Sequence, residues 1–267
     1  MSSGVIKIWT GVGAFILAGA ASVALVSPSV ATPTGNFVIA AEAGGEGGEG
    51  SEAAKPVTAP TPVPYPTQGG EGGEAAKPKF VNKVTNAQLT TALQNGGYVV
   101  YFRHAQTEKD YVDQTTAVMG KCDTQRMLSV MGWNQAKSIG NGFKALKIPV
   151  GKVYSSEYCR AWQTADLAFG KYKMMAALNF PKAGEYTDAQ KAQMRANLTP
   201  LLLEAPTPGT NTVIVGHDDV FDAVTGIYPE PQGIAYIVKA LPSGKLEVIA
   251  GIKAEEWLEM SKISMSR

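Results

Sequence analysis

The sequence predicts an α/β fold, a three-layer sandwich around a mainly parallel central sheet with a small cap. Helix-like and strand-like segments alternate from residue 85 onward. The first three strand-like segments, "YVVYF", "KVYSS" and "TNTVIVG", have nearly continuous apolar centres. Strands of this kind are typical of parallel sheets that helices cover on both faces.

Each element has local signals at its ends. A helix is predicted from the capping box at Thr85 to the glycine pair 96–97. Ser129 caps a second helix, and Thr187 opens another with a capping box, which Pro200 should kink or end early. The predicted helices are 85–95, 130–146, 157–170, 187–203 and 218–226, and the predicted strands are 98–102, 152–156, 210–216 and a terminal hairpin over 233–252.

The first 80 residues differ in composition from the rest of the chain. Residues 10–26 are free of charge, and "SVA" and "AEA" downstream fit signal-peptidase cleavage. We therefore expect residues 1–31 to be a signal peptide, with an uncleaved membrane anchor as the alternative. Residues 32–80 are rich in Gly, Glu and Pro and predict a disordered linker, which leaves 81–267 as the folded domain.

Charge and cysteine content narrow the function classes. The net charge of +1 gives no general argument for binding nucleic acid, and a membrane is expected only through an uncleaved anchor. Cys122 and Cys159 are the only cysteines. In an exported protein, periplasmic or extracellular, such a pair is expected to form a disulfide, although two free thiols are the alternative.

The only two histidines lie where predicted strands end. Arg103 and His104 directly follow "YVVYF", and His217 directly follows "TVIVG". Arg160 lies a few residues beyond "KVYSS", in the first turn of the next predicted helix. Because ligands bind beyond the carboxyl ends of parallel strands, we expect these four side chains to line one site.

Two arginines and two histidines at one site favour phosphate chemistry. Guanidinium groups bind phosphate oxygens in bidentate geometry, and the backbone N–H groups of the helix after Ser156 are expected to bind the same anion. A neutral imidazole can attack phosphorus if a backbone carbonyl holds its other nitrogen. A protonated second histidine would stabilise the transition state, and the reaction needs no cofactor.

The motifs "FRHAQT", "SSEYCRAWQTA" and "VIVGHDD" resemble those of the histidine phosphatase superfamily, which has the phosphoglycerate-mutase-like fold. The resemblance implies a phosphomonoester hydrolase in which His104 is the phosphorylated nucleophile, and the predicted signal peptide implies that it is exported. The resemblance also implies that Arg103 and Arg160 bind phosphate and that His217 is the second histidine of the pocket. The implied substrate is a phosphorylated small molecule or a phosphoprotein. The substrate-binding candidates are Gln106, Thr107 and Arg126. Arg126 could equally be an ordinary exposed arginine.

The sequence departs from the family pattern at two points. Ala105 replaces the usual glycine, which would be costly if this position needs a positive φ. The proton donor for the leaving group is Asp218 if the family's His-Asp pattern applies, and Glu185 if the donor lies in the short insertion. A third alternative is that no dedicated acid exists, with Asp218 and Asp219 serving only as helix-capping acids.

Three other functions fit parts of the same pattern. A zinc site of Cys122, Cys159, His104 and His217 has suitable ligand types, but the spacing is wide and the arginines would repel a cation. A phosphoglycerate-type mutase would use the same pocket, although export argues against it. A family member that binds phosphorylated ligands without turnover is the non-enzymatic alternative.

Overall fold

The computed structural model describes residues 80–108, 113 and 115–265, with the side chains of 263–265 left aside. The chain divides into two units, Met1–Gln68 and Gly69–Arg267, and all described residues lie in the second. The signal peptide predicted over 1–31 and, apart from Phe80, the linker predicted over 32–80 lie outside the described residues. No helix in the described part is long and apolar enough to cross a membrane.

Six strands form one mixed sheet with helices on its two faces. The helices are α1 (Asn86–Asn95), α2 (Val130–Ala145), α3 (Cys159–Phe169), α4 (Asp188–Leu203), α5 (Asp218–Thr225) and α6 (Glu256–Met265). The strands are β1 (Val99–Arg103), β2 (Val150–Ser155), β3 (Lys173–Met174), β4 (Asn211–Gly216), β5 (Ala235–Ala240) and β6 (Leu246–Ile252), in the spatial order β3-β2-β4-β1-β5-β6. The α/β fold class is therefore confirmed.

The pairing directions explain the "mainly parallel" pattern. β4 lies between β1 and β2 and pairs parallel with both, and β2 pairs parallel with the short β3. The predicted terminal hairpin forms β5 and β6, which pair antiparallel, and β5 joins the sheet antiparallel to β1. Because β1 and β4 run in the same direction side by side, the residues that follow them meet at one edge.

Two apolar clusters cover the two faces of the sheet. Side chains of β1 alternate between them, so that Val100 and Phe102 join one cluster while Val99 and Tyr101 join the other. The first cluster packs against α2, α3 and α6, including the fully buried Trp257. This alternation with burial on both sides is what a continuous apolar strand between two helix layers requires.

Two elements were not predicted, and one helix continues past a proline that was expected to kink it or end it early. β3 has two residues and α6 follows the hairpin; neither was predicted. Pro200 lies inside α4, which still extends to Leu203. The capping boxes predicted at Thr85 and Thr187 are both present, with each side chain accepting the N–H of the glutamine three residues on.

Candidate active site

The four side chains predicted to converge do so at the edge where β1 and β4 end. Arg103 is the last residue of β1, and His104 and His217 directly follow β1 and β4. The two imidazole ring centroids lie 5.5 Å apart, and Arg160 Nε lies 3.3 Å from His104 Nε2. All four residues are buried, so their charges interact through protein rather than bulk water.

His104 is held as one defined tautomer. Its Nδ1 lies 2.8 Å from the backbone oxygen of Ala105, which only accepts, so Nδ1 carries the proton. The lone pair of Nε2 then accepts from Arg160 Nε–H. Burial, and next the positive charge of Arg160, lower the pKa of His104 well below its usual value. The imidazole is therefore neutral at physiological pH, the form that a nucleophile requires.

Ala105 fits the loop without backbone strain. Among the described residues other than glycine, only Lys147 has a positive φ. The Ala105 N–H donates to Thr164 Oγ1 at 3.0 Å, and this hydroxyl in turn donates to the backbone oxygen of Arg160. Thr164 thus fixes the distance between the His104 loop and the helix that carries Arg160.

The backbone of His217 is held by one tyrosine. Tyr101 Oη accepts the His217 N–H at 2.9 Å and donates to the His217 carbonyl at 2.8 Å. Gly216 leaves room for this hydroxyl, since a Cβ at that position would lie 2.3 Å from it. Any side chain at residue 216 would therefore displace either Tyr101 or His217.

A chain of hydrogen bonds also defines the tautomer of His217. Asn179 Oδ1 accepts the Ser156 hydroxyl proton at 2.8 Å, and Asn179 Nδ2 donates to Glu157 Oε2. Ser156 Oγ can then only accept from His217 Nε2, which lies 2.8 Å away. Burial, followed by repulsion from Arg160, lowers the pKa of His217 well below its usual value, so Nδ1 carries no proton in the free site.

Arg103 is held at both terminal nitrogens. Nη1 donates to the backbone oxygen of Pro229 at 2.8 Å, and Nη2 forms an ion pair with Asp218 Oδ2 at 2.5 Å. Tyr228 Oη donates to the same carboxylate oxygen at 2.8 Å. Arg103 Nε is buried and has no hydrogen-bond partner within the described part of the chain. This N–H is available to an anion.

Arg160 and Arg126 share one buried carboxylate. Asp113 Oδ2 accepts from Arg160 Nη1 at 2.7 Å and from the backbone N–H of Arg126 at 2.8 Å. Arg126 Nε is buried without a partner within the described part of the chain. Burial, and next repulsion from Arg160, lower the pKa of Arg126, and its charge also lowers that of His217. Arg126 is therefore part of the cationic cluster and not an ordinary exposed arginine.

The predicted disulfide forms between Cys122 and Cys159, which confirms that part of the sequence analysis. It joins the loop of Arg126 to the residue directly before Arg160. The prediction of free N–H groups at the start of this helix was wrong in part. The N–H groups of Glu157, Tyr158 and Cys159 are taken by Asn179, Ser156 and Gln125, which anchor the helix to neighbouring loops.

The two polar residues after Ala105 contact protein groups. The Gln106 N–H donates to Gln135 Oε1, and the Thr107 N–H donates to Gln232 Oε1. Thr107 is buried, and its hydroxyl accepts from Gln232 Nε2. These contacts shape the loop after His104; direct contact of either side chain with substrate stays a prediction.

Three carboxyl groups were candidates for proton transfer or capping. Asp218 lies against Arg103, whereas Glu185 is exposed. Asp219 Oδ2 accepts from Tyr186 Oη at 3.1 Å, and burial, followed by the charge of Asp218, raises the pKa of Asp219 to about 6. Asp218 Oδ1 also accepts the N–H of Asp219 in the first turn of α5, whose N-cap residue is His217 and has no side-chain cap.

The zinc alternative does not fit the observed site. Both cysteines are oxidised to the disulfide, which removes the thiolate ligands. Within residues 80–108, 113 and 115–265, no group of three or more His, Cys, Asp or Glu side chains is arranged to hold a metal ion.

Sequence reasoning missed several residues of the site. Asp113, Ser156, Thr164, Tyr186 and Tyr228 all make contacts described above. Ser156 and Thr164 lie within the motif "SSEYCRAWQTA", which gave a signal for them. Asp113, Tyr186 and Tyr228 lie in loops outside any motif, where only the tertiary structure reveals their partners.

A comparison with protein families finds the same superfamily that the sequence motifs resemble. Residues 99–200 match the family model described as the histidine phosphatase superfamily (branch 1). This region includes the first two motifs, whereas the motif of His217 lies beyond it. No curated protein sequence matches the chain.

Several solved structures are similar in part. The protein histidine phosphatase SixA complexed with tungstate has 15% identity and a TM-score of 0.43, covering 59% of this chain and 97% of its own. A phosphoserine phosphatase variant from Entamoeba histolytica with phosphoserine has 14% identity and a TM-score of 0.45, covering 59% and 98%. The protein TTHB049 from Thermus thermophilus has 19% identity and a TM-score of 0.41, covering 58% and 99%.

Proposed function

We propose that this chain, whose residues 99–200 belong to the histidine phosphatase superfamily, hydrolyses phosphomonoesters through a phosphohistidine at His104. The observation that carries the proposal is the state of the His104 ring. Nδ1 is held by the Ala105 carbonyl, the Nε2 lone pair faces Arg160, and the charges of Arg160 and Arg103 contribute to the lowered pKa of the ring. A neutral nucleophile beside fixed positive charge is suited to attack a phosphate dianion.

In the first step, His104 Nε2 attacks phosphorus and the bond to the ester oxygen breaks. Arg160 and the free Nε–H of Arg103 stabilise the charge on the phosphoryl oxygens, and His217 donates from Nδ1 once the dianion has favoured its protonation. Asp218 takes up a proton as the ester binds and gives it to the departing alcohol oxygen. The products of this step are the free alcohol and phospho-His104.

In the second step, water attacks the phosphorus of phospho-His104 and the P–N bond breaks. Asp218, now a carboxylate, takes a proton from the water, and the electron pair of the broken bond returns to Nε2. Inorganic phosphate leaves and the neutral imidazole is restored. Because three arginines supply the positive charge, we propose that hydrolysis needs no metal ion or other cofactor.

The same proposal includes the substrate class and the compartment. The substrate is a phosphorylated small molecule or a phosphoprotein, and Arg126, with its unpartnered Nε–H, is a substrate-binding residue. The protein is exported, periplasmic or extracellular. The disulfide supports export, because such bonds persist mainly in oxidising compartments.

The direct test is to trap the intermediate. The domain 81–267 and the full chain would be mixed with a ³²P-labelled aryl phosphate and quenched in alkaline detergent, because the P–N bond is hydrolysed in acid. We expect phosphate release together with a protein-bound label that is stable in alkali and lost in acid. Phosphate binding without release or label would favour the non-enzymatic alternative, a family member that only binds phosphorylated ligands.

The role of Asp218 predicts a dependence on the leaving group. Asp218→Asn should lower kcat/KM by about 10²–10⁴-fold for an alkyl phosphate, because a poor leaving group needs the proton. For p-nitrophenyl phosphate, whose leaving group is stable as an anion, the loss should be much smaller. Steady-state kinetics with both substrates measure the difference.

Asp219→Asn is the matched control, since it removes the neighbouring carboxyl and keeps an acceptor for Tyr186. It should leave the leaving-group dependence unchanged. Because the pKa of Asp219 is raised to about 6, its contribution to stability is present below pH 4 and lost as the pH rises through 6. Relative to wild type, the variant should gain about 2 kcal/mol above pH 7. If Asp219→Asn alone changed the leaving-group dependence, Asp219 would be the proton donor.

A further inference from the structure

Asp113 contacts Arg160 on the side of the guanidinium that faces away from His104. Arg160 Nη1, the terminal nitrogen on the Cδ side, donates to Asp113 Oδ2 at 2.7 Å. Nε, which with Nη2 forms the opposite pair of parallel N–H donors, lies 3.3 Å from His104 Nε2. The pair of donors that fits a phosphate group therefore lies on the His104 side, and the carboxylate occupies the other side.

The guanidinium of Arg160 also packs against a stacked pair of aromatic rings. It lies 4.8 Å from the ring centroid of Tyr158 and 5.4 Å from that of Phe180. Both Arg160 and Asp113 are almost fully buried. Rotation of the guanidinium would separate a buried ion pair, so Asp113 fixes the direction in which Nε and Nη2 point.

The same carboxylate oxygen holds a second arginine in place. Asp113 Oδ2 accepts the backbone N–H of Arg126 at 2.8 Å, in the loop that the disulfide connects to Arg160's helix. One buried atom thus sets the separation of two cationic residues of the site.

We infer that Asp113 is a positioning residue that aims Arg160 at the phosphate attacked by His104 and keeps Arg126 beside it. This inference rests on the proposed function only for the identity of the anion. It assigns a role to a residue outside the sequence motifs, and it accounts for a buried carboxylate in a site that has to attract anions.

The test measures the affinity for inorganic phosphate by calorimetry, which does not require turnover. Asp113→Asn and Asp113→Ala should weaken phosphate binding about 10- to 100-fold, with the smaller loss for asparagine, which keeps an acceptor oxygen. In an Arg160→Ala background, Asp113→Asn should have little further effect, because no guanidinium remains to be aimed. Asp123→Asn removes an exposed acid of the neighbouring loop and should not change the affinity.

Stability is measured on the same samples by urea unfolding, and affinities are compared only for folded protein. If folded Asp113→Asn bound phosphate as tightly as wild type, Asp113 would be merely structural and the inference would be wrong. Tighter binding would overturn it too, because the carboxylate would then compete with phosphate. If the Asp113 variants lost phosphate affinity but the wild type hydrolysed no ester, the inference would stand and the proposed function would be wrong. If the wild type bound no phosphate at millimolar concentration, both would be wrong.

Discussion

Replacing His104 with alanine should lower kcat for phosphomonoester hydrolysis by about 10⁴-fold or more, the order expected when a covalent nucleophile is removed. Nε2 of His104 presents a lone pair beside Arg160, and alanine at this position offers no substitute. The variant should also take up no alkali-stable label from a ³²P-labelled ester. Stopped assays with p-nitrophenyl phosphate, together with labelling, measure both effects.

His217→Ala is the comparison variant for this prediction. It removes the other imidazole of the pair but leaves the nucleophile, so it should slow hydrolysis and still accept label. His104→Ala should still bind inorganic phosphate, because the arginines are unchanged. Residual hydrolysis within tenfold of wild type in purified His104→Ala would exclude His104 as the nucleophile.

Loss of the disulfide should destabilise the domain by about 3–4 kcal/mol in the chain-entropy account. The bond closes a loop with a sequence separation of 37 between Cys122 and Cys159. Alanine at both positions avoids placing a serine hydroxyl at Cys159, which is fully buried. Urea unfolding of the double variant, followed by fluorescence, measures the change in the free energy of unfolding.

Reduction provides the matched control, because the sequence contains no other cysteines. Wild type in dithiothreitol should unfold at the same urea concentration as the double alanine variant, and the reductant should have no effect on that variant. Phosphate affinity should fall in both, since the loop of Arg126 would no longer be joined to the helix of Arg160. Equal stability of oxidised and reduced wild type would contradict the prediction.

The central strands and the four converging side chains were predictable from the sequence. Strands such as β1 and β4 are buried on both faces and so are apolar throughout, and the residues that follow parallel strands must meet at one edge. By contrast, α6 was missed because the segment after the hairpin, "GIKAEE", contains no Ser, Thr, Asp or Asn cap. Its burial depends on packing against α2, where Gly142 leaves space for Trp257.

The supporting residues of the site could not be predicted in the same way. Asp113 is one of three acids between residues 108 and 113, and neither periodicity nor a capping position distinguishes it from an exposed aspartate. Its role exists only because the loop brings it against Arg160 in the folded chain. The same holds for Asp219, whose raised pKa comes from burial that the sequence does not reveal.

The hydrogen bonds from His217 through Ser156 and Asn179 to Glu157 look like a proton relay, but they cannot conduct. An asparagine amide can donate from nitrogen and accept at oxygen, yet it does not pass a proton from one atom to the other under ordinary conditions. His217 must therefore exchange its catalytic proton on the substrate side, through Nδ1. His217 should consequently take up its Nδ1 proton as the ester enters the site and release it as phosphate departs.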